Sequence, residues 1–229
     1  MKIELEKEEK DALIVHLLFA IICIPILLIP IAIGLQLFIL VTIYNLLIPL
    51  FAFWRGYNDW IKLWLFVFIL SVFFIWPDWF LADQLGTIAF PPDDGIFHIG
   101  AVSAYMAGLW AIPFFAIVFV GQRVKERKSL KLAYLIVALM SFIIFTISEG
   151  TLWMLNSWKA QNVHLIFDHI AVYILVPEII LGISTFYYYG LIQEKPHWMK
   201  VPTALFVMII YVGTAASFYF LIERVIFQF

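Results

Sequence analysis

The sequence predicts an all-α integral membrane bundle of seven transmembrane helices, with its N-terminus cytoplasmic and its C-terminus extracytoplasmic. Three observations carry that expectation. Of the 229 residues, 65% are hydrophobic and only 13% charged, and the mean hydropathy is +1.02, a composition of the membrane class. The apolar residues come in blocks matched to the roughly 20 residues that a helix needs to cross a bilayer. The basic residues segregate as well: with seven crossings, twelve of the fourteen Lys and Arg fall on one side and only Lys159 and Arg224 on the other. The positive-inside rule makes the crowded side cytoplasmic.

Taken in order, residues 1–11 form a charged tail. It mixes Lys2, Lys7 and Lys10 with Glu4, Glu6, Glu8, Glu9 and Asp11, and lacks the small-residue cleavage site of a secretory signal. Residues 12–229 make a single transmembrane domain. The apolar stretch from Ala12 to Trp54 is too long for one crossing and carries Pro25, Pro30 and Gly34, so it must turn back between Ile29 and Gln36. The third crossing runs from about Asp59 to Phe80, the fourth from about Ala101 to Gly121 and the fifth from about Leu130 to Thr151. The sixth runs from about Leu165 to Leu191 and the seventh from about Pro202 to Phe227. The longest connection, 81–100, contains the turn-forming run Pro91-Pro92-Asp93-Asp94-Gly95 and a short apolar piece from Gln84 to Phe90, which suits an outer lid.

The net charge of −2 gives no footprint for nucleic acid. The single cysteine, Cys23, lies inside the first apolar block and reads as packing. The expected partners are the lipid bilayer and a hydrophobic small molecule or lipid.

The acids outside the tail separate into two groups, and one of them is unexpected. Outside the tail, Asp78, Asp83, Asp93, Asp94, Glu149, Asp168 and Glu223 fall at the outer helix ends or in outer loops, with Glu178 deeper. Ionisable groups at membrane depth are costly, face a bundle interior or wet cavity, and are functional candidates. On the sixth helix, at about 100° per residue, His164, Asp168, Ala171, Leu175, Glu178 and Gly182 fall within an arc of about 80°. Pro177 is expected to kink that helix beside Glu178. A neutral carboxylic acid in an apolar pocket is what proton donation to an alkene or epoxide requires, and it is equally what a structural carboxyl bonded between helices looks like. Trp76, Trp79, Asp83, Trp110, Trp153, His164 and Tyr173 are the expected substrate-binding residues around the catalytic candidates Glu178, Asp168, Glu149 and Asp78. Aromatic π faces near acids can stabilise a cation, whereas a lone interfacial Trp or Tyr is ordinarily a belt residue.

No two histidines face each other at mid-membrane, which argues against a haem held between helices. His98, His164 and His169 with Asp168 supply ligand types suited to zinc, but without a paired-His spacing, and no metal ligand is assigned. The sequence leaves the cofactor undetermined.

Four motifs look familiar as a set: Trp76-Pro-Asp-Trp-Phe-Leu-Ala-Asp83, Ala104-Tyr-Met-Ala-Gly-Leu-Trp110, Ser148-Glu-Gly-Thr-Leu-Trp153 and Tyr173-Ile-Leu-Val-Pro-Glu-Ile-Ile-Leu-Gly182. Over the third to sixth crossings the chain resembles an uncharacterised prokaryotic family of polytopic membrane proteins. That resemblance implies a multi-pass protein of the prokaryotic cytoplasmic membrane and supplies no reaction. In size, crossings and buried acids it is also similar to the small integral-membrane terpene cyclases and the membrane-type carotenoid cyclases, although their run of consecutive acids is missing here. That likeness of architecture implies carboxyl groups that protonate an isoprenoid while aromatics shelter the cation. The leading expectation is a membrane-embedded enzyme acting on an isoprenoid or other lipid by cyclase- or hydratase-like acid catalysis. The alternatives are a non-enzymatic carrier or binding protein for a small lipid or proton-coupled solute, and a zinc-dependent intramembrane lipid hydrolase.

Overall fold

A computed structural model describes residues 5–228. Lys2 and Glu4 of the expected tail lie outside the described residues. Among the described residues, seven helices are long and apolar enough to cross a membrane: α1 Lys7–Leu28, α2 Ile33–Arg55, α3 Asn58–Gln84, α4 Met106–Arg127, α5 Leu130–Leu155, α6 Val172–Ile192 and α7 His197–Ile226. The chain is a multi-pass membrane protein, in contact with the lipid bilayer.

Local chemistry sets the helix ends. Glu6 and Glu9 form a reciprocal capping box at the start of α1. Gly56, at φ 74°, closes α2 in the left-handed conformation that glycine adopts without steric cost. Ser129 Oγ accepts from the Leu132 backbone N–H and caps α5. Between α1 and α2, the Gln36 side chain donates to the carbonyl of Ile29 and holds the turn shut.

α3, α4, α6 and α7 pack on one another at the centre; α5 packs against α4 and α6, α2 lies along α3, and α1 rests mainly on α2. The core is aromatic, with Trp60, Tyr44, Tyr105, Tyr173, Tyr211, Phe66, Phe74, Phe114 and Phe115 fully buried. Leu28, Phe53, Leu135 and Phe206 stand exposed on the outer surface. Because lipid is as apolar as these residues, close interior packing rather than removal from water holds such helices together.

With an odd number of crossings the bundle has two unlike ends. The N-end carries the chain start together with the 2–3, 4–5 and 6–7 turns, all short. The C-end carries a cap built from residues 85–105 and 156–171. Three two-residue ladders shape it: β1 Ile88–Ala89 pairs with β4 Lys159–Ala160, β2 His98–Ile99 with β3 Val102–Ser103, and β5 Leu165–Ile166 with β6 Ile170–Ala171, all antiparallel.

These ladders correct two expected helix starts. The fourth crossing begins at Met106 rather than near Ala101, because residues 98–103 fold back as a hairpin around Gly100, at φ 63°. The sixth begins at Val172 rather than near Leu165, because residues 165–171 form a second hairpin with Phe167 and Asp168 at φ 53° and 63°. Asp168 therefore does not share a helical face with Glu178, and neither does His164. The α-helical part of α6 begins at Leu175, after a 3-10 turn over Val172–Ile174, so Pro177 falls in its first turn, where its missing N–H needs no partner, and no mid-helix kink arises from it.

Candidate functional site

Three carboxyl side chains from three helices line one cavity beneath the cap. Asp78 comes from α3, where it is 3% exposed, Glu149 from α5 and Glu178 from α6, where it is 2% exposed. The cavity measures about 30 Å³, enough for one or two waters. Trp110, Trp158, Tyr173 and Tyr211 complete its polar and aromatic wall, while Leu81, Ile88, Phe90 and Met106 close it on the cap side. Leu81, Ile88 and Phe90 of segment 81–100 line the cavity beside the acids.

The helices are held so that these groups meet. Gly182, one turn beyond Glu178, faces Ser141 of α5, and a Cβ there would lie 1.8 Å from Ser141 Oγ. Glycine lets α6 approach α5 at this point, and two turns above Ser141 on α5 stand Ser148 and Glu149. Trp110 Nε1 donates to Asp78 Oδ2 at 3.3 Å. Tyr173 Oη donates to Thr87 Oγ1 at 2.7 Å, and Thr87 in turn donates to the Leu81 carbonyl at 3.1 Å. This chain fixes the phenol ring and ties the cap to the end of α3. Tyr105 Oη donates to the Ser157 carbonyl at 3.0 Å and joins the two cap segments; burial pushes the Tyr105 phenol up, so it stays a donor. Among the described residues no protein group hydrogen-bonds Glu178, and no cation pairs with Asp78, Glu149 or Glu178.

Glu149 is half-buried because it borders two further spaces. A mouth of about 310 Å³ opens above it in the cap, between Trp153, Asn156, Trp158, Lys159, Asp168 and His169. A groove of about 290 Å³ opens beside it between α1, α4 and α5; it is lined mainly by apolar residues such as Leu109, Ile112, Pro113 and Ile144, and is bordered by both Glu149 and Glu178. A polar entrance, a small acidic chamber and an apolar side groove therefore all border Glu149, and the chamber and the groove also share Glu178.

The remaining sequence candidates are spread more widely. Trp110 and Tyr173 line the chamber. Asp168 is exposed on its hairpin at the rim of the mouth, beside Trp153 and His169, whose rings stack at 3.8 Å and 14°. Trp76, Trp79 and Asp83 are exposed; Trp76 and Trp79 face a separate apolar groove between α3 and α7, and the Gln84 amide donates to Asp83 Oδ2. His164 is engaged elsewhere: its ring and its backbone N–H both donate to buried Glu223, and Phe227 stacks on it at 3.8 Å. Asp94 is also fully engaged, accepting from Ser103 Oγ and the Ile96 N–H, with His98 Nε2 at 3.2 Å. The histidines that suited zinc are held apart in this way, and among the described residues no group of three or more His, Cys, Asp or Glu is placed to hold a metal ion.

Sequence reasoning missed Trp158, Tyr211 and the apolar ceiling of Ile88, Phe90 and Met106. Tyr211 is a polar ring in the middle of an otherwise apolar helix, a signal of interior orientation that the sequence did carry. Trp158 is a loop residue, with no periodic pattern to give its direction.

A family profile described as "Domain of unknown function (DUF6989)" matches residues 75–222, a segment running from the Asp78 turn of α3 to the end of α7 and holding every carboxyl of the chamber. No curated protein and no solved structure matches the chain.

Proposed function

The chain belongs to the DUF6989 family, and from its site we propose that it is a membrane-embedded enzyme acting on an isoprenoid or other lipid by acid catalysis. The observation that carries this reading is the meeting of a polar mouth, an acidic chamber and an apolar groove at Glu149, with Glu178 shared by the chamber and the groove. A lipid chain reaches the acids through the groove; protons and water reach them through the mouth.

In the proposed step Glu178 gives its proton to a carbon–carbon double bond, so that one O–H and one C–C π bond break and one C–H bond forms. The cationic carbon faces Trp110, Trp158, Tyr173 and Tyr211, whose rings stabilise it through their π faces. Loss of a neighbouring C–H proton to the carboxylate of Glu149 or Asp78 then discharges it, or a water from the mouth forms a C–O bond and gives up a proton to that carboxylate. Asp168 stands at the rim, where it serves water and proton entry rather than the chemistry. The positive-inside bias of the basic residues turns the cap and mouth away from the cytoplasm.

The test follows lipids in membranes that carry the protein in deuterated water. Wild-type protein is expected to leave deuterium on carbon in one lipid class, or that class hydrated. Glu178→Gln protein of unchanged thermal stability is expected to leave neither. Equal deuteration with both proteins rules the reading out. One observation favours a carrier instead: the acids sit in a chamber of only about 30 Å³ that borders both an aqueous mouth and a lateral groove. A carrier predicts lipid or solute flux that depends on Glu178 with no deuterium on carbon.

A further inference from the structure

We propose that the site takes a single-chain amphiphile with a net-neutral polar head, seated with its head in the cap mouth, its head–chain linkage at Glu149 and its chain threaded between α1 and the α4–α5 pair. This rests on the reading of Glu149 and Glu178 as the reacting groups; the seat itself rests on the shape and lining of the spaces.

The first observation is continuity. The side groove beside Glu149 does not end in the outer half of the bundle. It meets a second space of about 540 Å³ that shares His16 and Ala116 with it and runs on, between Leu13, Val120 and Leu132, to Arg123 and Arg127 at the N-end. From Trp110 to Arg127 the seam follows α4 over seventeen residue-to-residue steps, about 25 Å at the helical rise. Its wall is apolar for most of that length, and polar groups gather at its ends. Ligand pockets ordinarily begin near 300 Å³, so the upper part, at about 290 Å³, has room for one chain and not two.

The second observation is how α1 is held. At the N-end, Asp11 accepts from Arg55 and from Tyr57 Oη, Glu8 pairs with Arg123, and Glu6 and Glu9 pair with Arg127. At the other end the Gln36 side chain fixes the α1–α2 turn. Between these ties α1 leans on α2 and leaves the seam toward α5 unfilled. His16 is a fixed wall there: Nδ1 donates to the Ala12 carbonyl at 2.8 Å, Nε2 lies 3.1 Å from Tyr44 Oη, and the ring stacks on Phe115. His16 and the small side chain of Ala116 stand where the two spaces meet.

The mouth identifies the head. It presents one cation, Lys159, and one anion, Asp168, with the Asn156 amide and the stacked Trp153 and His169 rings. A lining of both signs offers hydrogen bonds without a net field to attract a charged head, and Glu149 at its floor disfavours an anion. Polar mouth, carboxyls and apolar seam follow one another as the parts of an amphiphile do.

Nanodisc-embedded protein would be photolabelled with hexadecyl glucosides that carry a diazirine either beside the sugar or at the chain end, and with the matching hexadecyl phosphates. The sugar-proximal glucoside probe is expected to mark the Trp153–His169 segment, and the chain-end probe to mark peptides around Ala116, Val120 and Leu132. Ala116→Phe should cut chain-end labelling of Val120 and Leu132 at least about tenfold, as loss of some 1.4 kcal/mol of binding would. Equal labelling by the phosphates, head-proximal label at Arg127, or chain-end label on the α3–α7 groove each overturns the seat, and the wild-type map decides even if Ala116→Phe fails to fold. Glu178→Gln separates the two claims. Labelling kept while turnover is lost supports both, whereas labelling kept with turnover unchanged leaves the seat standing and removes the acid-catalysis reading.

Discussion

Both ends of the bundle bury acids, and they treat them in opposite ways. Among the described residues at the N-end every buried or half-buried carboxyl has a cation or hydroxyl on it: Asp11 has Arg55 and Tyr57, Glu9 has Arg127, and Glu8 has Arg123. Beneath the cap, Asp78, Glu149 and Glu178 gather around a shared chamber, where neutral indoles donate to two of them, Trp110 to Asp78 and Trp158 to Glu149. At the same end of the bundle, Asp94 of the cap is engaged by Ser103 and His98, and Glu223 of α7 by His164. Burying a carboxyl costs free energy unless it is paired. Where a partner is supplied the carboxyl belongs to the architecture, and where three stand without cations the fold has tolerated that cost at a place where solvent and lipid meet.

The largest expected effect breaks this contrast at its centre. Glu178→Gln should lower acid-catalysed turnover by about 10²–10⁴-fold, the usual worth of a positioned proton donor, while its melting curve in detergent stays close to wild type because no protein bond is lost. At the N-end the same kind of change should do the reverse. Asp11→Ala strands Arg55 and Tyr57 and is expected to lower stability by about 1–3 kcal/mol, with turnover per folded molecule unchanged when the two are measured on one sample. Gly182→Ala tests whether the chamber depends on the close approach of α5 and α6. Its Cβ meets Ser141 Oγ, and overpacking of about 1–3 kcal/mol should appear in the melt together with a fall in turnover. Tyr173→Phe removes one bond between chamber and cap and should cost about 0.5–1.5 kcal/mol, seen as faster proteolysis of the cap. Trp76→Ala, on the separate α3–α7 groove, should leave turnover intact and stability within about 0.5 kcal/mol of wild type; a large loss of turnover would show that the aromatic grouping near Asp78 extends beyond the chamber.

Much of the site was legible before the fold was known, though unevenly. Asp78, Glu149, Glu178, Trp110 and Tyr173 were singled out as residues and do line one chamber. Asp168 and His164 were grouped with Glu178 by helical spacing, and that spacing does not apply, because residues 165–171 are a hairpin. A short apolar run with one or two polar residues satisfies the helical and the strand period equally well, and here the pairing of Leu165 with Ala171 settled it. The His164–Glu223 pair joins residues 59 positions apart, and no local pattern announces such a partner.

The amino-acid sequence by itself determined the solvent and the number of crossings. Hydropathy adds up locally along the chain, and each crossing must satisfy its own backbone hydrogen bonds, so those features need no knowledge of neighbours. Only the tertiary structure decided which acids meet, which are neutralised, and where polar and apolar spaces join. Those outcomes depend on contacts between helices far apart in the chain: a glycine of α6 facing a serine of α5, a threonine of the cap holding a tyrosine of α6, and α1 standing away from α5. They are set by shape at the points of contact rather than by composition along the way.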